Sequence, residues 1–133
     1  MNSIPFKRFG PMFDCSRNAV LTTTSIKDLI DICAKLGYSS FLLYTEDTYE
    51  VYDNPYFGYG RGRYSCDELR EIDSYARSKG LELIPCIQTL GHLTCIFKWT
   101  PYQKLMDCHN ILMPNEDGTY KSIARKTDKV KWY

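Results

Sequence analysis

Three short apolar runs, separated by two stretches of helical periodicity and by no hairpin turn, set the strongest limit on what this chain can fold into. Pro11-Met-Phe-Asp14 ends in a carboxylate and is broken by Ser16-Arg17-Asn18, which predicts a first strand. Ser25 is placed as a helix N-cap, and Ile26, Leu29, Ile30, Cys33 and Leu36 share one helical face that Gly37 closes. Asp28 and Asp31 near the start of that helix and Lys35 near its end suit its dipole. Phe41-Leu-Leu-Tyr44 is short and continuously apolar, the signature of a parallel strand buried on both faces. A long loop follows, and Ser65-x-x-Glu68 then predicts a capping box at the head of a second helix, with Leu69, Ile72 and Ala76 on its inner face and Gly80 at its end. Leu81 to Ile87 predicts the third strand.

Strand, helix, strand, helix, strand without hairpins implies right-handed crossovers and a parallel sheet, so the fold class is α/β. After His92 the pattern is less regular. Pro101 to Asp107 reads as a short helix, Ile111-Leu-Met113 as a brief apolar run, and Thr119 to Lys131 as a basic, helical end. No fourth strand of the same quality is found, and no linker divides the chain, so its 133 residues are expected to form a single domain.

Charge and cysteine usage narrow the function. Seventeen basic side chains against sixteen acidic ones leave no electrostatic footprint for nucleic acid or an anionic membrane, and neither partner is expected. The apolar runs are far shorter than the roughly 20 residues needed to span a bilayer. Six scattered cysteines without a C-x-x-C, behind a start that lacks a signal-peptide pattern, suit a reduced, cytoplasmic chain. Nothing in the sequence signals a metal or an organic cofactor, and none is expected.

In parallel α/β architectures the ligand side is the carboxyl end of the strands. The first strand ends there in Asp14, the second leads into Glu46 and Asp47, and the third leads into Gln88, Thr89 and His92. Two carboxylate positions and an imidazole thus reach one rim. Each has a blander reading: Asp14 with Arg17 as an ion pair holding the first loop, Glu46 and Asp47 as solvated acids, His92 as a structural hydrogen-bonder. The run Pro55-Tyr-Phe-Gly-Tyr-Gly-Arg-Gly-Arg-Tyr64 reads either as a surface whose tyrosines stack on a sugar while Arg61 or Arg63 binds hydroxyls, or as a packed loop sealing the top of the sheet. Its glycines are no dinucleotide fingerprint, because no strand immediately precedes them and no helix opens at the third. Asp67-Glu68 lies in a first helical turn and suits capping; Glu116-Asp117-Gly118 reads as a turn.

The blocks MFDCSRNAV (12 to 20), LLYTEDTYEV (42 to 51), PYFGYGRGRYS (55 to 65) and IPCIQTLGHL (84 to 93), and more weakly IFKW (96 to 99) and HNILMPNEDGTY (109 to 120), resemble in order the amino-terminal part of the catalytic barrel of family 20 glycoside hydrolases, the β-N-acetylhexosaminidases. The resemblance implies a (β/α)₈ barrel of which this chain is about the first three βα units. It also implies removal of a terminal N-acetylhexosamine from a glycan with retention of configuration, the substrate's own acetamido oxygen acting as nucleophile. An aspartate there orients the acetamido group, and the neighbouring glutamate is the acid and base. Carried over by position, His92 is the histidine that tunes this glutamate; Glu46, matching the first acid of a separate pair after the family's second strand, is that histidine's carboxylate partner, and Asp47 is the second acid of that strand-two pair.

The sequence departs from the family twice. Where the family commonly has an arginine that holds sugar hydroxyls, five residues before the first strand's aspartate, Phe9 stands here, with Arg8 one place away as the substitute to test. The family's Asp-Glu pair follows a fourth strand, and no apolar strand followed by Asp-Glu comes after His92. A full barrel takes roughly 250 residues. The chain is therefore expected to be a truncated hexosaminidase domain, inactive alone, with an open third strand and a complementing chain or a second copy as its partner. The alternative is a non-catalytic sugar-binding or interaction module derived from the same barrel.

Overall fold

The computed structural model describes residues 6–17, 19–89 and 91–105, and the backbone of 113–114 and 120–121. Two compact units divide the chain, residues 1–96 and 97–133. In the first, β1 (Met12–Asp14), α1 (Thr23–Lys35), β2 (Ser40–Tyr44), α2 (Cys66–Ser78) and β3 (Glu82–Cys86) alternate; the single turn α3 (Thr94–Phe97) runs from its last residues into the first residue of the second. The second contains the turn α4 (Thr100–Gln103), with Pro101 in its first turn, and a two-residue antiparallel pair, β4 (Met113–Pro114) with β5 (Tyr120–Lys121). The rest of the Ile111–Met113 run, the turn at 116–118 and the basic end beyond Lys121 lie outside the described residues. No described helix is long and apolar enough to cross a membrane.

The sheet is open and wholly parallel, in the order β1-β2-β3. Pairing puts Met12, Leu42 and Ile84 in one row and Asp14, Tyr44 and Cys86 in the next. Gly10 leads into β1 where its backbone lies against the Ser40 carbonyl, so close that a Cβ would sit 1.6 Å from that oxygen. Side chains alternate between the faces of a strand. Phe13, Cys15, Phe41, Leu43 and Leu83 therefore share one face and form the core with Ile26, Ile30 and Cys33 of α1, Ile72 and Ala76 of α2, and Leu81. The opposite face is open: Met12 is exposed, and Leu42, Tyr44, Ile84 and Cys86 are half-buried. The two-sided burial expected for β2 is thus complete on one side only: Phe41 and Leu43 are buried, whereas Leu42 and Tyr44 are half-buried.

Helix ends show what local sequence can mislead. The N-cap of α1 is Thr22, not Ser25: Thr22 Oγ1 accepts from the Ser25 amide at 3.2 Å, so the helix starts a turn earlier than expected. Asp28 and Asp31 then fall outside its first turn, and the dipole argument for them fails. Asp31 instead accepts from Tyr75 at 3.0 Å and pairs with Lys79 at 2.7 Å, tying α1 to α2. Leu36 is the C-cap and is exposed, so it does not belong to the buried face. The capping box at α2 forms as expected, with Ser65 and Glu68 bonded reciprocally.

Tyr64, which closes the aromatic loop, is a core residue. Its hydroxyl donates to the Leu21 carbonyl at 2.7 Å and lies 3.4 Å from Cys15 Sγ. Burial, with the neighbouring Cys15 thiol second, pushes the Tyr64 phenol far above its ordinary range. The unfolded chain therefore ionises first, so the stability held by the neutral phenol is whole below about pH 10 and is lost as pH rises beyond it. In urea unfolding between pH 8 and pH 11, Tyr64→Phe is expected to flatten the alkaline fall while losing about 1 kcal/mol at neutral pH with its hydrogen bond. An alkaline limb as steep as the parent's would assign it to other groups.

Candidate functional site

Alternation along β2 decides which acid faces which side. Glu46 follows Tyr44 by two residues and comes to the open face, whereas Asp47 turns towards the loop beneath it. Both are buried, 3% and 1% exposed, although they follow the strand's last residue. The Thr45 amide donates to the Cys86 carbonyl at 3.0 Å, which continues the β2–β3 pairing and brings Gln88 up beside Glu46.

Glu46 Oε1 is the point of convergence. The Tyr44 hydroxyl donates to it at 3.2 Å, Arg17 Nη1 lies 3.6 Å away, and His92 Nδ1 lies 3.6 Å away. Gln88 Nε2 donates to the Tyr44 hydroxyl oxygen at 2.9 Å. Desolvation raises the Tyr44 phenol above its ordinary value; the Gln88 bond lowers it and the Glu46 carboxylate raises it. His92 is reached through Gly91 and itself has a backbone φ of 58°, a left-handed conformation uncommon outside glycine that turns its ring back to the rim.

Asp14 stands at the β1 side of the same rim. Its Oδ1 accepts from the Ser16 hydroxyl at 2.6 Å and the Ser16 amide at 2.8 Å, and its Oδ2 lies 3.7 Å from Arg17 Nε. The Ser16 hydroxyl, then the Ser16 amide, hold its carboxyl below the usual carboxylate range against partial desolvation, and Arg17 adds to this. Arg17 thus spans Asp14 and Glu46, and the ion pair weighed from sequence extends to a second acid. Asp14, Glu46 and His92 are together at one end of the sheet.

The other three residues are elsewhere. Asp47 Oδ1 receives Arg61 Nε at 3.2 Å and Nη2 at 3.1 Å, while Nη2 also donates to the Ser16 carbonyl. Arg61 is consequently an anchor inside the loop, its guanidinium engaged by Asp47 and the Ser16 carbonyl. Arg63 is likewise engaged, by the Pro55 and Phe57 carbonyls and by Glu50 at 3.7 Å. With Phe57 against Tyr49 at 5.1 Å and Tyr64 in the core, the packed-loop reading of this segment is the better one. Arg8 forms a two-bond pair with Glu82, 2.7 and 2.9 Å, at the first residue of β3 and so at the opposite, amino end of the strands.

Tyr44 and the reach of Arg17 to Glu46 are what sequence reasoning missed. The signal was there in the period of two, since Tyr44 precedes Glu46 by two and pairs with Cys86, two before Gln88. Among the described residues no three His, Cys, Asp or Glu side chains gather as metal ligands.

No family model and no curated protein matches the sequence. Solved structures do. The chain is similar to a Streptomyces plicatus N-acetyl-β-hexosaminidase, with 26% identity and a TM-score of 0.61 over 68% of this chain and 21% of that one. A β-N-acetylhexosaminidase from Bacteroides fragilis gives 26% identity and a TM-score of 0.62 over 72% of this chain and 22% of that one. A family 20 exo-β-N-acetylglucosaminidase from Vibrio harveyi, solved in complex with N-acetylglucosamine, gives 18% identity and a TM-score of 0.70 over 89% of this chain and 22% of that one. The chain spans about a fifth of the length of each. Its three parallel strands in β-α alternation match part of the family 20 barrel.

Proposed function

We propose that this chain, folded as part of a family 20 β-N-acetylhexosaminidase barrel, supplies the Glu46–His92 side of a site for a terminal N-acetylhexosamine. The observation that carries this reading is the buried Glu46 carboxylate, 4% exposed at its side chain, meeting His92, Arg17 and Tyr44 at the carboxyl end of the sheet. An imidazole against a carboxylate can take and return a proton's worth of charge as a neighbouring acid cycles. In this role Glu46 and His92 would serve an acid and base that they do not themselves replace. The one Asp-Glu dipeptide of the 133 residues, Asp67-Glu68, lies in the first turn of α2, and Glu68 is taken by the Ser65 amide and hydroxyl at 2.8 Å each. Those two bonds hold Glu68 below the usual carboxylate range, the opposite of what a proton donor at neutral pH requires.

Two measurements test the reading. The 133-residue chain is expected to release no p-nitrophenol from p-nitrophenyl N-acetyl-β-glucosaminide above the rate without protein; normal turnover would overturn the reading that Glu46 and His92 only support an acid and base. Calorimetry with N-acetylglucosamine is expected to show weak association, about millimolar, weakened further in Arg17→Ala. Binding without hydrolysis is also what a sugar-holding module derived from this barrel would give. No binding at all removes the assignment of this rim to a sugar.

A further inference from the structure

We propose that Tyr44 and Gln88 are positioning residues that aim the Glu46 carboxylate at His92. The Gln88 amide donates to the Tyr44 hydroxyl oxygen at 2.9 Å, and the Tyr44 hydroxyl donates to Glu46 Oε1 at 3.2 Å. A phenol carries one proton, and its oxygen can accept while that proton is donated. Because Gln88 occupies an accepting position, the proton is left for the carboxylate, and the sequence Gln88 to Tyr44 to Glu46 has a direction. Donors aligned in this way polarise one another, so the amide strengthens the bond that the phenol makes. Oε1 is the same oxygen that lies 3.6 Å from His92 Nδ1. Fixing that oxygen fixes what the imidazole meets.

The charged neighbours are less suited to the task. Arg17 is 66% exposed at its side chain and divides itself between Asp14 and Glu46 at 3.7 and 3.6 Å. Asp14 is turned to Ser16. Tyr44, by contrast, is a rigid ring in the central strand, paired with Asp14 on one side and Cys86 on the other. Its phenol, raised by desolvation, keeps the proton it donates throughout the neutral range.

The inference rests on the hexosaminidase reading only for what His92 serves, and its test uses no sugar, so failure of one is distinct from failure of the other. Long-range proton–nitrogen NMR of the isotope-labelled full chain reports which imidazole nitrogen bears the proton. His109→Gln leaves His92 as the single histidine. The neutral ring is expected to carry its proton on Nδ1, facing Glu46. In Tyr44→Phe the ratio of Nδ1–H to Nε2–H forms is expected to fall by about two- to fivefold, the scale of one lost hydrogen bond. Gln88→Ala should lower it less, and should add nothing in the Tyr44→Phe background, since the amide acts only through the phenol. A purely structural role for Tyr44 would lower the melting temperature and leave the tautomer ratio alone. An unmoved ratio in either folded variant, or an effect of Gln88→Ala that survives without the Tyr44 hydroxyl, overturns the proposal.

Discussion

Arg61→Ala is expected to lower the free energy of unfolding by about 3–5 kcal/mol, the loss that follows when a buried ion pair keeps only one partner. The side chains of Asp47 and Arg61 are 2% and 16% exposed, so solvent does little to screen the carboxylate left behind. The guanidinium meets Asp47 Oδ1 through two nitrogens and, through one of them, the Ser16 carbonyl as well. Its removal strands a charge and a backbone acceptor together. Arg61→Lys should recover little, because a single ammonium lacks the planar fork that reaches both groups. Adding Asp47→Asn to Arg61→Ala should recover part of the loss, since the unpaired charge goes with it. Urea midpoints at a common m-value measure all three. A loss below about 1 kcal/mol would make this an ordinary surface pair and leave the loop to its aromatic packing.

The βαβαβ order was legible because each of its signals is local. An apolar run of four or five residues, a helical stripe and a capping box are all contained within one element, and Phe41, Ile72 and Glu68 behave as their neighbours dictate. Ends were less legible where two residues offer the same chemistry. Thr22 and Ser25 are both good caps, and the choice of Thr22 moved Asp28 and Asp31 out of the first turn. The half-exposure of Leu42 and Tyr44 could not be read from β2 itself, because burial of a strand's second face depends on elements outside it.

At the site, Asp14 ends β1 and Glu46 follows β2 closely, so the pairing of adjacent parallel strands brings them to one end of the sheet, whereas His92 lies well past Cys86, the last residue of β3, and reaches Glu46 only by the return of the loop between them. The partners of Arg8 and Arg61 were not legible for a shared reason: they are distant in sequence. Arg8 meets Glu82, 74 residues on, and Arg61 meets Asp47 across a 14-residue separation. Which carboxylate an arginine chooses depends on the path of the chain between them. For Arg61 that path is a succession of turns, from Phe57 to Asn54, from Tyr59 to Tyr56 and from Arg61 to Gly58. No apolar period marks such a path.

Gly58→Ala is expected to destabilise the chain by about 2–5 kcal/mol, against about 1–2 kcal/mol for Gly60→Ala, and the difference reports the close contacts of Gly58, the Asp47 carbonyl foremost and the Arg63 side chain second. The two glycines have nearly the same left-handed backbone, φ +66° and +71°, so alanine meets similar strain at either. Around Gly60 a Cβ would find open space, whereas at Gly58 it would lie 2.2 Å from the Asp47 carbonyl oxygen. That oxygen is backbone and cannot swing aside. Relief must come from moving the loop away from residue 47 or from moving residue 47 itself, which is joined directly to Glu46. Gly58→Ala should therefore also move the backbone amide resonances of Thr45 to Thr48 and the His92 tautomer ratio, while Gly60→Ala leaves both near the parent's. Equal losses for the two variants would mean that the loop sits on the rim without holding it.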